Sequence, residues 1–346
     1  MVEYISEYVS WLFGEIRDFL VYRGDDPGRK LLLMVLAIVI FVVIMGLILW
    51  LADRPKKART TLVAAAFVGP AVLALIFGLV YPALLTINAS FKNKSGQEYI
   101  AFDNYATAFT EPQFQAVLRN TALWVLLVPL LSTLIGLVYA VVVDRTKFEK
   151  IAKTLVFMPM AISMVGAGII WGLVYDPRPG SDGNARGLMN AFIGLFGIDS
   201  IDTRLATPPI NTLFLIVVMI WIQTGFAMTV LSAAIKAIPD DIIEAAKLDG
   251  LTGLGMFRYI TVPSIRPALV VVLTTIAMGT LKVFDIVRTM TGGQFETSVV
   301  ANEFYDQSFR YNNQGLGAAL AVLLFVIVIP IIIYNVRQMR LSEAIR

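Results

Sequence analysis

The chain has 346 residues, of which 58% are hydrophobic and only 15% are charged, whereas soluble domains average about half apolar and a quarter charged. This composition predicts a polytopic, all-α integral membrane protein. The absence of Cys and His excludes disulfides, the usual zinc sites and a Ser-His-Asp triad, and the net charge of +3 fits basic cytoplasmic loops without a nucleic-acid partner.

The first 60 residues differ from the rest of the chain. Residues 1–30 mix large apolar side chains with carboxylates too closely for a membrane span, which predicts an interfacial amphipathic segment. This segment has no small-residue cleavage site of the kind that ends a signal peptide, so we expect the next apolar run to be retained as an anchor. Residues 31–60 are therefore predicted to form one additional transmembrane helix and a basic linker.

Apolar runs that are long enough to cross a bilayer core of about 30 Å, which takes about 20 helical residues, recur along the chain. We predict seven transmembrane helices, at residues 31–51, 61–87, 119–143, 153–174, 210–233, 268–290 and 315–336. Lys and Arg are concentrated in the segments on the same side of the membrane as residues 238–263. The positive-inside rule places that side in the cytoplasm.

Residues 238–263 form a polar island between two apolar runs. Pro239 suits a helix start, acidic residues follow it in the first turn, and Gly250 can take the left-handed conformation that ends a helix. A second short helix is expected from Leu254 to Ile260, before Pro263. The island therefore predicts two short helices that meet at a glycine.

The spacing within this island resembles the "EAA" loop of the membrane subunits of ATP-binding-cassette importers. The matching residues are Glu244, Ala245, Ala246, Asp249, Gly250, Ile260 and Pro263, while Val262 replaces the usual Leu. The two alanines leave one helix face nearly bare, so another protein could approach the backbone closely. The resemblance implies that this loop couples the chain to an ATPase subunit.

Further parts of the resemblance occur through residues 61–340. They are Gly69-Pro70 with Tyr81-Pro82 and Ser90-Phe91, Phe102-Asp-Asn-Tyr105, and Asn120-Thr121. Together they are similar to sugar-importer subunits of the maltose-transporter F type, close to the α-glucoside permeases. The resemblance implies a type I importer permease domain with a six-helix core over residues 61–340, located in the bacterial inner membrane, that carries a di- or oligosaccharide.

The resemblance also implies the partners of the chain. They are a dimer of ATP-binding-cassette ATPases, a second, homologous permease subunit and an extracytoplasmic sugar-binding protein, besides membrane lipid and the sugar. The sequence has no Gly-x-x-x-x-Gly-Lys-Ser/Thr phosphate loop, so we expect ATP to bind to the partner and no cofactor to bind to this chain. A stripe of small and polar residues is predicted to contact the second permease: Ser163, Gly166, Gly168 and Gly225.

One charged cluster lies within a predicted span. Lys282, Asp285 and Arg288 are three residues apart, which places them along one side of a continuous helix and would allow Lys282 to pair with Asp285. Ionisable residues at membrane depth are costly and usually face a cavity or one another. Two interpretations remain open, a structural ion pair and part of a polar sugar pathway. An ion-coupled secondary transporter that uses these residues or Glu244 as a relay is the alternative function.

The resemblance favours the sugar pathway, because in the maltose-type subunit the sugar lies at mid-membrane against the helices before and after the EAA loop. The matching positions are Gln223, Gly225 and Phe226 before the loop and Thr275, Gly279 and Lys282 after it. Neighbouring side chains complete the predicted pathway: Trp221, Thr224, Thr280 and Asp285. Where the family has asparagines this chain has Gly279 and Lys282, which leaves the identity of the sugar open.

Overall fold

The computed structural model describes residues 26–53, 60–144, 146–178 and 187–344. Within these ranges every regular element is a helix, apart from one isolated β-bridge between Lys92 and Tyr99, which confirms the all-α prediction. The chain divides into two compact units, Met1–Ala83 and Leu84–Arg346. Most of the predicted interfacial segment and most of the basic linker lie outside the described residues.

The first unit consists of long apolar helices. Helix α1 covers Pro27–Asp53, and helix α2 covers Thr60–Leu75. A π-helical turn, Ile76–Val80, joins α2 to α3, Tyr81–Ala89, most of which belongs to the second unit, and the N–H of Tyr81 donates to the carbonyl of Ile76. In a regular α-helix the ring of Pro82 would clash with the carbonyl four residues earlier, so the wider π turn lets the helix continue past the proline.

The described part of the second unit contains long and short α-helices and ends in one long C-terminal helix. They are α4 Asp103–Thr110, α5 Pro112–Val143, α6 Glu149–Phe157, α7 Met164–Val174, α8 Leu188–Gly194, α9 Ile210–Lys236, α10 Asp240–Leu248, α11 Gly253–Met256, α12 Val262–Ser264, α13 Arg266–Thr280, α14 Asp285–Met290, α15 Val300–Tyr305 and α16 Gln314–Ala344.

Four helices among the described residues are long and apolar enough to cross a membrane: Phe67–Ala89, Pro112–Val143, Ile210–Lys236 and Gln314–Gln338. The number rises to six if each of two bent helix pairs is counted as one span. Helix α1 has 27 residues and coincides with the predicted span 31–51. The total of seven transmembrane helices remains a prediction.

The predicted span 153–174 is not one straight helix. Residues Glu149–Ala161 and Met164–Val174 meet at an angle of 105°. Ile162 and Ser163 between them have extended backbones, and the hydroxyl of Ser163 accepts a hydrogen bond from the N–H of Gly166 as the N-cap of α7. A capping serine and an extended residue end one helix and start another, so the hydrophobic run alone gave the wrong geometry.

The predicted span 268–290 is also divided. Helix α13 ends at Thr280, and α14 starts afresh at Asp285 after a non-helical link. At its other end, α13 meets the helical stretch Gly253–Ser264 at an angle of 69°. Pro267 lies in the first turn of α13, where its missing N–H costs nothing.

The hydrophobic core of the second unit is centred on the contact between α5 and α9. Trp124 on α5 and Met228 on α9 are fully buried there, with apolar side chains of α13 and α14 around them. Gly136 permits the closest approach, because a Cβ at this position would lie 2.6 Å from the Cβ of Ala227 and 2.7 Å from the N of Met228. The two helices therefore cross with almost no side chain between them.

The Ser90-Phe91 and Phe102–Tyr105 motifs, which precede α5, stabilise the turn between α3 and α4. Asn104 is buried and donates through Nδ2 to the carbonyls of Ser90 and Lys92, both at 2.8 Å. The hydroxyls of Ser90 and Tyr105 lie 2.7 Å apart in a hydrogen bond. The Phe102–Tyr105 motif thus holds the turn that follows α3 in place.

Candidate functional site

The polar island folds as two short helices around Gly250, as predicted. Helix α10 follows Pro239 and carries Asp240 and Asp241 in its first turn, where carboxylates are stabilised by the helix dipole. Gly250 has a φ of +82°, and the N–H of Leu251 donates to the carbonyl of Ala246 at 2.9 Å. This left-handed glycine ends α10 and reverses the chain.

The second helix of the island is longer than expected. The helical stretch starts at Gly253 and passes through a π-helical segment, Phe257–Thr261, to end at Ser264. Pro263 is therefore inside the helix rather than beyond it. A proline in the first turn of a helix costs no hydrogen bond, because the N–H groups there have no intrahelical partner, but a proline in the last turn does. The π segment before Pro263 accommodates the N–H that this proline lacks.

The island presents apolar side chains outwards. Leu248 is 90% exposed, Leu254 is 78% exposed and Tyr259 is 64% exposed. Ala245 and Glu244 are exposed on the same short helix, whereas Ala246 is buried. Glu244 has no hydrogen-bond or ion-pair partner among the residues that the structure describes. A face with large exposed apolar groups beside a free carboxylate is typical of a protein-binding surface.

The remaining residues of the predicted motif lie around this face. Asp249 and Gly250 are exposed at the turn, Ile260 is partly buried and Pro263 is exposed. Beneath the two helices is a cavity of about 400 Å³, lined by Ile243, Lys247, Leu251, Met256 and Ile260 and by residues at the ends of α5 and α9, including Asp144 and Ile235. The island therefore contacts the transmembrane helices through its inner face and leaves its outer face open.

A charged cluster anchors the helix ends next to the island. Nζ of Lys153 lies 2.7 Å from Glu149 and 3.3 Å from Asp144, and Nζ of Lys236 lies 3.3 Å from Asp144 and also contacts Glu149. Lys153 further donates to the hydroxyl of Ser232. The cluster joins α5, α6 and α9 immediately before the island. Only the Glu149–Lys153 spacing of four residues could have indicated it in the sequence.

Some residues of the predicted solute pathway are exposed, whereas others are bonded or packed within the chain. On α13, Thr275 and Gly279 are exposed, and no atom lies within 4 Å of a Cβ built at Gly279. Lys282, just after α13, is also exposed. Their spacing of four residues places Thr275 and Gly279 on one helix face, and Lys282 follows in the non-helical link. We call these three positions the open stripe.

Other predicted pathway residues make contacts within the chain. The hydroxyl of Thr280 donates to the carbonyl of Ile276, and that of Thr224 donates to the carbonyl of Ile220, both at 2.7 Å. Both threonines are buried, so their only donors are used. Phe226 is half-buried and packs against the core of the second unit.

On α9, Gln223 is half-buried, between the buried Ile222 and Thr224. Trp221 makes an edge-to-face contact with Trp171, with ring centroids 5.6 Å apart, which is a packing contact between helices. Among the predicted pathway positions in the described part of the chain, Gln223, Asp285 and the open stripe make no side-chain hydrogen bond or ion pair with the rest of the chain. The assignment of all these residues to a pathway stays a prediction.

The predicted charged constellation does not form on one helix face. The break after Thr280 separates Lys282 from Asp285 and Arg288, and Lys282 and Asp285 make no ion pair with each other in the described part of the chain. Arg288 instead pairs with Asp306 at 2.9 Å and lies over the ring of Tyr305. The three-residue spacing misled because it assumed an unbroken helix.

The predicted small-residue stripe also has a different role. A Cβ at Gly225 would lie 2.6 Å from the carbonyl oxygen of Val156 and 2.9 Å from the Cα of Phe157, and a Cβ at Gly168 would lie 3.0 Å from Thr289. Gly166 receives the Ser163 cap described above. These small residues permit contacts between helices of this chain, so the proposal that they face a second permease is wrong for Gly168 and Gly225.

Residues 132–340 match a family model described as "Binding-protein-dependent transport system inner membrane component". The chain is 43% identical over 288 residues to the α-glucoside transport system permease protein AglF of Rhizobium meliloti, an alignment that covers 83% of this chain and 85% of the relative. It is 42% identical over 280 residues to the osmoprotective compounds uptake permease protein GgtC of Synechocystis sp., covering 81% of this chain and all of the relative.

The fold is similar to that of a solved bacterial transporter chain. The crystal structure of an ABC transporter involved in the import of the acidic polysaccharide alginate matches with a TM-score of 0.67 at 24% identity, over 80% of this chain and 94% of that one. At this identity the likeness shows the fold alone. It agrees with the all-α fold of the described residues.

Proposed function

Because the chain belongs to the family of binding-protein-dependent transport system inner membrane components, we propose that it is the permease subunit of an ATP-driven carbohydrate importer that forms half of a transmembrane pathway for an α-glucoside. The chain itself is a multi-pass membrane protein and a transport subunit rather than an enzyme. The observation that carries the proposal is the outer face of the polar island, with its free carboxylate and exposed leucines.

This outer face is proposed to dock into the ATPase partner. The left-handed Gly250 presents α10 and the following helix side by side, and Leu248 and Leu254 project away from the rest of the chain. Burying a leucine side chain contributes about 1.5–3 kcal/mol, so these two residues supply a substantial part of a docking energy. ATP is bound and hydrolysed by that partner, and this chain needs no cofactor.

The second proposed partner is a homologous permease. The open stripe on α13 supplies polar groups along only one side of a pathway, and Lys282 has no carboxylate to offset its charge within the described residues. A charged group at membrane depth is tolerated only beside water or polar partners. A second permease would complete the pathway opposite this stripe, and an extracytoplasmic binding protein would deliver the solute to it.

The proposed substrate is a neutral di- or oligosaccharide of the α-glucoside class. The two relatives named above have names that specify α-glucosides and osmoprotective compounds. Gln223, Thr275 and Lys282 offer the amide, hydroxyl and ammonium groups that bind sugar hydroxyls. An ion-coupled relay between Lys282 and Asp285 has no support, since the two do not pair.

Uptake and purification test the proposed function together. Cells with and without this chain are compared for uptake of radiolabelled maltose, trehalose, sucrose and a longer α-glucoside, and the tagged chain is purified from native membranes. We expect uptake of at least one sugar to require the chain, and an ATPase and a second permease to purify with it. Transport by the chain alone in ion-loaded vesicles, without any ATPase, would contradict the proposal.

The pathway residues are tested by substituting open and occupied positions. We expect Lys282→Met and Gln223→Ala to change the ranking of sugars or to lower uptake per complex by about tenfold, because a site built to bind hydroxyls loses discrimination when its partners are removed. Thr280→Val is the matched control, since its hydroxyl is already bonded to Ile276. Uptake is divided by complex abundance. An unchanged ranking and uptake in both test variants would remove these residues from the pathway.

A further inference from the structure

A cavity of about 640 Å³ opens where α5 begins, at the end of this helix away from the polar island. The far end of α5 lines the cavity beneath the island, and a helix of 32 residues is about 48 Å long. The walls are the first turn of α5, the turn from Gly292 to Ser298, helix α15 and the segment up to Tyr311. We call this space the outer cavity. It is distinct from the open stripe.

The floor of the outer cavity is a fixed polar network. Glu303 accepts from the hydroxyl of Ser298 at 3.3 Å and from Nε2 of Gln307 at 2.9 Å. Asp306 receives Arg288 at 2.9 Å and Arg310 at 3.3 Å, so its carboxylate is held by two ion pairs. Side chains that are oriented by their neighbours keep their remaining hydrogen-bonding positions in place before a ligand arrives.

One wall of the outer cavity is held in a conformation that few residues adopt. Phe295 and Glu296 are consecutive non-glycine residues with φ values of 58° and 56°. Nδ2 of Asn211 donates to the carbonyl of Phe295 and Nδ2 of Asn120 to that of Glu296, both at 2.6 Å. Left-handed non-glycine residues are costly and persist where the surroundings enforce them. The two buried asparagines supply that enforcement.

The rim of the outer cavity carries polar groups that the chain does not use. The side chains of Gln294, Glu296 and Tyr311 are exposed and have no side-chain hydrogen bond within the described residues. Two buried carboxamide oxygens beside the walls, Oδ1 of Asn120 and Oδ1 of Asn302, also have no donor among these residues. These two oxygens are enclosed and their residues do not line the cavity, so the polar groups open to a ligand are those of the rim.

The chemistry of the rim and floor distinguishes between ligand classes. Glu296 and Glu303 have no ion-pair partner in the described part of the chain, and the two arginines next to the cavity are held by Asp306, which together disfavour an anionic ligand. Two donors already occupy the carboxylate of Glu303, and only Glu296 remains free on the rim, so a cation would be held by a single exposed carboxylate. A neutral polyol instead uses carboxamide donors, carboxylate acceptors and the ring of Tyr311 together.

We propose that the outer cavity is a second carbohydrate-binding site, which holds a neutral mono- or disaccharide before it reaches the open stripe. The volume of about 640 Å³ is in the usual range for small-molecule sites. The inference rests on the proposed function, because it assigns the same class of solute to a different part of the chain.

The complete transporter in lipid nanodiscs, without the binding protein, tests the inference by saturation-transfer NMR with maltose, trehalose and sucrose. We expect a saturable signal from at least one sugar, and we expect the double variant Gln294→Ala/Tyr311→Ala to weaken the apparent affinity at least about fivefold, the equivalent of one lost hydrogen bond. Gln97→Ala is the matched control, since Gln97 is exposed and lies outside the cavity. Lys282→Met/Gln223→Ala should retain the cavity signal.

Three results would overturn the inference. They are the absence of any sugar signal, the same affinity in the Gln294→Ala/Tyr311→Ala variant as in the wild type, and loss of the whole signal in the Lys282→Met/Gln223→Ala variant. An oligolysine peptide that binds in place of sugar, with the same sensitivity to the rim substitutions, would assign the cavity to a basic segment of a protein partner. If sugar uptake by the complete system persists in these cases, the proposed function stands and only the outer site is withdrawn.

Discussion

We expect the Glu244→Lys and Leu248→Asp variants to lose at least about nine-tenths of sugar uptake, because both residues lie on the outer face of the polar island. Leu248 is 90% exposed within the chain, and its burial in a partner would contribute about 1.5–3 kcal/mol, which corresponds to roughly 10- to 100-fold in affinity. Lysine in place of Glu244 reverses a charge near the N-terminal half of α10. The amount of ATPase that purifies with the tagged chain measures the docking directly.

Asp199→Lys is the matched control for the coupling prediction. It makes the same charge reversal at an exposed position between α8 and α9, outside the island, and should leave uptake and ATPase recovery unchanged. If the island variants retain both ATPase association and sugar-stimulated hydrolysis at the wild-type level, the outer face is not the docking surface. A variant that loses ATPase recovery but stays folded and membrane-inserted supports it.

The Gly136→Ala variant is expected to lower the stability of the folded chain by about 1–3 kcal/mol. The added Cβ would lie 2.6 Å from the Cβ of Ala227 and 2.7 Å from the N of Met228. One of these contacts involves backbone, so the pair of helices must separate rather than rotate a side chain aside. The stability falls because many van der Waals contacts along the α5–α9 interface weaken when the two helices move apart. Thermal unfolding of the purified complex in detergent measures the effect.

Gly172→Ala is the control for helix packing, since no atom lies within 4 Å of a Cβ built at this helical glycine. Alanine favours a helix over glycine by about 1 kcal/mol at either position, so the difference between the two variants isolates the steric term. Equal or higher unfolding temperatures in both variants would show that α5 and α9 do not approach as closely as described.

Much of the architecture follows from the chemistry of residues that are close in sequence, and it can therefore be predicted from the sequence. Apolar runs of span length produced helices at the expected places, because backbone groups in lipid can be satisfied only within a helix. The polar island gave two short helices around Gly250, since acidic residues at a helix start and a glycine at its end act over only a few residues. The family motif identified the class of protein for the same reason, as its residues are close in sequence.

The interruptions within spans could not be read from hydrophobicity. The 105° bend before α7 depends on Ser163 acting as a cap, and the break after Thr280 separates Lys282 from Asp285 and Arg288. A serine is also common inside a continuous apolar helix. A serine that caps a new helix is distinguished from it only by the extended backbone of Ile162 and Ser163, which hydrophobicity does not reveal. A proline such as Pro263 can end a helix or be accommodated by a π turn. The outcome depends on what contacts the backbone carbonyl that loses its N–H partner.

The sequence by itself determined that this is an all-α membrane protein with a two-helix polar island, because composition, span length and capping chemistry are local properties. Only the tertiary structure decided which charged side chains pair and which small residues pack against other helices of this chain. Arg288 pairs with Asp306, 18 positions away, and Gly225 packs against the backbone of Val156 and Phe157. Pairing and close packing depend on distances between elements far apart in the chain, and those distances are set by the bends and by the whole core.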